Sequence, residues 1–96
     1  MLRLKLFNRV VSDEGFSAKV RVFSGFVEYR EDDHIAIVPV YPVVGQPLVH
    51  VYETTPIHWE QPYSAEAIEE DRRRQILERV VQVLMFRKCR IEVLKS

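Results

Sequence analysis

Apolar residues fall on every second position through most of the first half of this chain. Near its end they fall on every third or fourth position in one long stretch. The first pattern marks strands with one wet face, the second an amphipathic helix. Leu2, Leu4 and Leu6 alternate with Arg3 and Lys5, and the run continues through Val10 and Val11, which predicts a first strand. Ser12-Asp13-Glu14-Gly15 is a turn. Phe16, Ala18, Val20 and Val22 alternate with Ser17, Lys19 and Arg21 in a second strand, broken by Ser24-Gly25. Phe26 to Arg30 is a third, followed by the acidic turn Glu31-Asp32-Asp33. His34 to Tyr41 is a fourth, with Ile35, Ile37 and Pro39 on one side. Pro39 cannot donate to a ladder, so it marks an edge or a strand end. The loop Pro42 to Pro47 leads to a fifth strand, Leu48 to Glu53. Ile57 to Glu60 is short and extended, and Cys89 to Leu94 is a short last strand.

The helical pattern covers Ser64 to Lys88. At about 100° per residue, Ile76, Leu77, Val80, Val83 and Leu84 share one sector, with Val81 at its margin. Asp71, Arg74, Gln75, Glu78, Arg79 and Gln82 fall elsewhere and face water. Ser64 is the expected N-cap, its hydroxyl accepting from an orphan N–H of the first turn. Early Glu66, Glu69, Glu70 and Asp71 and late Arg79, Arg87 and Lys88 complement the helix dipole. Glu69–Arg73 and Glu70–Arg74 have i,i+4 spacing, so the EEDRRR run reads as a solvated, self-paired face. Traced backward, the apolar stripe meets Arg73 and Glu69, so the first two turns are expected to overhang the sheet. Met85 and Phe86 lie off the stripe. Either the C-terminal loop or the N-terminal strand covers them, or they form a partner patch.

Strands gathered before one long helix predict an α+β fold. Its frame is an antiparallel, twisted β-meander of about five strands, with the long C-terminal helix packed on one face and a short final strand. A length of 96 residues with no linker, repeat or low-complexity tract fits a single domain spanning 1–96. Zero net charge and near-neutral pI argue against a nucleic-acid partner. The single cysteine excludes an internal disulfide and fits a reducing compartment. No apolar run approaches a membrane span and no signal-like segment opens the chain, so a cytoplasmic protein with no membrane partner is expected.

Catalytic and cofactor patterns do not emerge. The glycines are scattered, so there is no phosphate loop. His50 and His58 could share a metal with Glu53 or Glu60, but no ligand spacing supports a metal site or any cofactor. Cys89 opens an apolar strand, where a buried inert thiol is the ordinary state. The expectation is a protein that is not an enzyme. The segment before the helix is richer. Tyr52, Glu53, His58, Trp59, Glu60 and Tyr63 crowd together in sequence. Trp59 can close the core with its indole N–H bonded to a loop carbonyl, while its neighbours form a protein-binding rim. The two readings are compatible.

Four stretches carry a resemblance: GFVEYREDD (Gly25–Asp33), VHVYETTPIHWEQP (Val49–Pro62), RRRQILERVVQVL (Arg72–Leu84) and CRIEVL (Cys89–Leu94). Together they resemble a family of small bacterial immunity proteins from polymorphic-toxin systems. In that family a meander ends in a VY…I-x-x-W-[DE]-x-P segment, before an amphipathic helix and a terminal I-E-V strand. The matching residues are Val51, Tyr52, Ile57, Trp59, Glu60, Pro62, Ile76, Ile91, Glu92 and Val93. Met1 to Ser24 has no counterpart in that pattern. The resemblance implies a cytoplasmic antidote, monomeric or weakly dimeric, that binds a cognate toxin domain without catalysis. Against a basic nuclease cleft, its acidic candidates are Glu28, Glu31, Asp32, Asp33, Glu53 and Glu60. The competing readings are a scaffolding or accessory protein that self-associates through an open sheet edge, and a small enzyme or ligand-binding regulator.

Overall fold

Alternation builds the first sheet. A computed structural model describes residues 1–95, apart from the side chain of Leu6, whose expected place on the face of Leu2 and Leu4 lies outside the described residues. Strands β1 (Leu2–Leu4), β2 (Arg9–Ser12), β3 (Phe16–Arg21), β4 (Phe26–Glu31) and β5 (His34–Pro39) form one antiparallel meander in sequence order. The register Val10↔Ala18↔Tyr29↔Ala36 places one row of fully buried residues across the inner face. The outer face carries Arg9, Lys19, Glu28 and Ile37 in another row. The expected first strand, Leu2 to Val11, is instead a hairpin. It turns at Leu6–Asn8, where Phe7 and Asn8 both take φ near +61°, a conformation that asparagine tolerates better than most residues. In β5 the buried positions are Ala36 and Val38, continued by Val40, so Ile35 and Ile37 stand half-buried on the outer face. Apolar residues on both sides of that strand left its phase open.

At Val40 the chain leaves this sheet. Val40 is buried, and its N–H donates to the Gly25 carbonyl at 3.0 Å. A second sheet follows in the order β6 (Tyr41–Pro42), β7 (Leu48–Tyr52) and β8 (Arg90–Leu94). β6 is antiparallel to β7, but β8 runs parallel to it, with Leu48↔Arg90 and Tyr52↔Leu94 in register. A parallel neighbour needs a crossover, which helix α1 (Glu70–Phe86) supplies.

α1 begins at Glu70, not at Ser64. Traced backward the stripe meets Arg73 and Glu69, so the earlier residues have no continuous apolar face to bury as a helix; Tyr63 and Ile68 reach the core from irregular chain instead. Pro62 to Glu69 turns instead, with Tyr63 N–H donating to Glu60 O at 3.0 Å and Glu66 N–H to Tyr63 O at 2.9 Å. Glu69 occupies the N-cap without a side-chain capping bond. At the other end Lys88 takes φ +62°. Its N–H donates to Met85 O, and that of Cys89 to Leu84 O, a Schellman closure. The stripe itself lies as read: Ile76, Leu77, Val80, Val83 and Leu84 are buried, and Val81 is partly buried. They meet the inner face of β3 and β4, with Val49, Val51, Ile57 and Trp59 closing one core. Met85 (63% exposed) and Phe86 (41%) are not covered. Among the described residues no helix is long and apolar enough to cross a membrane.

Candidate functional site

The segment after β7 returns to the free edge of β5. Trp59 forms an antiparallel bridge with Ala36, and Glu60 N–H donates to Ile35 O at 2.7 Å. This pairing turns Trp59 inward, where it is 7% exposed. No indole hydrogen bond to a loop carbonyl forms among the described residues; rings hold it instead. Phe16, Tyr29, Trp59, His34 and Tyr63 make a continuous run from core to surface, with neighbouring centroids 5.6, 6.5, 5.0 and 3.8 Å apart. Trp59 meets His34 edge-on, and His34 stacks flat on Tyr63.

Carboxylates close the outer end of this run. His34 Nδ1 lies 3.0 Å from Asp33 Oδ1, and Nε2 lies 3.0 Å from Glu66 Oε1. Tyr63 OH donates to the other oxygen of Asp33. A carboxylate only accepts, so both ring nitrogens can donate only when His34 is the imidazolium. Glu66, with Asp33, holds the His34 pKa above its ordinary value. The Tyr63 hydroxyl bond, with help from His34, holds Asp33 below its own, and the Asp33 carboxylate raises the Tyr63 phenol. A ring clamped in this way has no lone pair to offer as a base. Asp32 and Glu60 stand exposed near this cluster. The end of the sheet is therefore a rigid aromatic platform with an acidic rim.

Of the six residues singled out in sequence, Trp59 and Tyr63 share this site, and Glu60 and His58 flank it exposed. Tyr52 packs edge-on against Tyr41 at 5.3 Å, away from the ring run. Glu53 borders a separate cleft with Glu70, Arg73 and Val93. Sequence reasoning missed His34 and Glu66 as partners, because only the β5 edge pairing brings the chain back beside His34. His50 is half-buried on β7 and His58 exposed, and no three potential metal ligands converge among the described residues. Burial pushes the Cys89 thiol up, away from the reactive thiolate.

Two arginines fix the platform from behind. Glu31 accepts from Tyr29 OH (2.8 Å), from Arg79 Nη1 (3.0 Å) and from Arg72. Arg79 also donates to Tyr29 OH at 2.9 Å and lies 4.6 Å over the Phe16 ring. It is thus drawn into the helix–sheet seam, against the expectation that it faces water. The EEDRRR run is self-paired only in part. Arg73 grips Glu70 with two bonds, at 2.6 and 2.8 Å, and also donates to Glu53 O (2.6 Å) and Thr55 O (3.1 Å). Glu28 and Glu31 are occupied by Arg9, Arg72 and Arg79, leaving Asp32 and Glu60 without a salt bridge among the described residues, beside Asp33 and Glu66, whose two carboxylates share the one ring of His34. No family model matches the chain, and neither a curated protein nor a solved structure matches it.

Proposed function

We propose that this chain is a non-catalytic protein-binding module, an immunity protein that binds and neutralises a cognate bacterial toxin domain in the cytoplasm. One observation carries the reading: Asp32, Asp33, Glu60 and Glu66 surround an aromatic stack whose rings are already locked by packing and hydrogen bonds. Preorganised rings lose little entropy on binding, and an acidic rim steers a basic partner. The family resemblance supplies the partner class. Co-expression with the product of the adjacent gene tests it. A stable complex is expected, whose affinity falls about tenfold in Glu60→Lys while the melting temperature of the free chain is kept. No complex, or an unchanged affinity in Glu60→Lys, removes this reading of the rim.

A second reading has its own observation. β8 ends the three-stranded sheet, so one side of its five residues has no strand partner among the described residues. A scaffolding role through that edge predicts a concentration-dependent dimer, abolished by Ile91→Pro in a chain that still folds. A sedimentation series showing only monomer excludes it.

A further inference from the structure

The turns of a meander alternate between two ends. Those at Asp13–Gly15 and Asp32–Asp33 share the end of the acidic rim, whereas Leu6–Asn8 and Val22–Ser24 turn at the opposite one. A groove of about 900 Å³ opens at that opposite end, between the Val22–Ser24 turn, the β6–β7 loop and the segment after α1. Val20, Val22, Leu48 and Val49 line it, and Phe23 and Val44 border it with their side chains fully exposed. Arg87, Lys88 and Arg90 line one wall, and no Asp or Glu does. None of these three cations forms a salt bridge among the described residues. The Schellman closure at Lys88 holds the backbone of that wall in place.

Phe23 and Val44 contribute no burial to this fold, and they stand on the same groove rather than scattered over the surface. We propose that the groove receives a segment of a partner protein bearing apolar anchors flanked by carboxylates. Apolar side chains fill the floor, and carboxylates meet the unpaired cations, where arginine can hold them bidentately. Phe23 and Val44 project as a bilayer-binding tip would, but Val20, Val22, Leu48 and Val49 form a recessed floor between the loops, which a flat bilayer does not fill and separate side chains do. The groove and the acidic rim share no residue, so the proposal stands whether or not the partner of the rim is a toxin.

Selection of random peptides displayed on phage against the immobilised full chain tests this, with the selected peptides then measured free by fluorescence anisotropy. The expected winners combine apolar anchors with net negative charge and perturb the amide signals of Val22, Phe23, Val44 and Leu48. Their affinity falls about tenfold in the double variant Arg87→Gln/Arg90→Gln and survives in Arg87→Lys/Arg90→Lys. Phe23→Ser weakens binding with an unchanged melting temperature, since Phe23 buries nothing. The proposal is overturned by no enrichment, by basic or uncharged winners, by perturbations confined elsewhere, or by full affinity in the glutamine pair. Binding to phosphatidylglycerol vesicles without peptide enrichment assigns the surface to membranes and overturns it as well.

Discussion

Arg79 joins three groups that no other side chain could join: the Tyr29 hydroxyl, the Glu31 carboxylate and the face of Phe16. It is 12% exposed, so these contacts are poorly screened. Arg79→Ala leaves Glu31 and Tyr29 short of a donor beside the core and is expected to cost about 2–3 kcal/mol in urea unfolding. Arg79→Lys does not restore it, because one ammonium cannot reproduce the planar fork. Helical spacing gave no hint of this role: Arg79 lies off the stripe, and only the strand register carries Glu31 to it. His34 makes a prediction in pH. A raised pKa stabilises the fold fully below the unfolded value of 6.5, and that contribution is lost as pH rises through the folded value. The lowered pKa of Asp33 works in the opposite sense, its contribution being present above 3.8 and lost below. Glu70, held to about 2 by Arg73, adds to the same acid limb below 4.5. The melting temperature should therefore be highest at mildly acidic pH and fall toward pH 8. His34→Gln flattens the alkaline limb and leaves the acid limb from Glu70 in place; an alkaline limb unchanged in that variant refutes the imidazolium assignment.

At the scale of elements, the helix shows what periodicity can and cannot reveal. Its stripe was legible because five apolar residues at helical spacing have one way to face a core. Its start was not, because Ser64 offers a capping hydroxyl and Ala67 and Ile68 follow at helical spacing, although Glu69 and Arg73 then interrupt the stripe. Glu69, the actual cap, has extended geometry (φ −68°, ψ 160°) but makes no capping bond. Glu69→Asp keeps the charge at the helix N-terminus and shortens the side chain to capping reach. It should add about 1 kcal/mol, a rise of about 4–8 °C in melting temperature for a domain of this size. Ser64→Ala should change nothing, and a loss there would restore Ser64 as the cap. The sheets were legible in kind but not in connection. Lys5 to Asn8 contains no glycine or proline to mark a turn, so the β1–β2 hairpin read as one strand, although Phe7 and Asn8 break the alternation. Alternation is also silent on direction, which hid the parallel β7–β8 pair. Of the site, Trp59 and Tyr63 were visible as aromatic residues before the helix, whereas His34 becomes their partner only through the pairing of Trp59 with Ala36.

For the whole molecule, the zero net charge conceals a separation. Fourteen basic and fourteen acidic residues cancel in the sum. Yet Asp32, Asp33, Glu60 and Glu66 gather at one end around a single His34, while Arg87, Lys88 and Arg90 line the groove at the other. The outer face of the meander adds Arg9, Lys19, Arg21 and Arg30 against Glu28. At about 0.1 M salt the Debye length is about 10 Å. The molecule measures 37 × 33 × 21 Å, so each region presents its own field to a surface, largely unscreened by the other. A chain with evenly mixed charges would pass through ion exchangers near its pI, whereas this one should be retarded on both quaternary-ammonium and sulfonate resins near pH 7. Asp32→Asn/Glu60→Gln should then elute earlier from the first resin only, and Arg87→Gln/Arg90→Gln earlier from the second only. Because each pair changes net charge by the same amount in opposite directions, a net-charge effect would move each variant on both resins at once. Such a coupled shift, or passage of the unmodified chain through both columns, would show that the two ends do not act as separate charged surfaces.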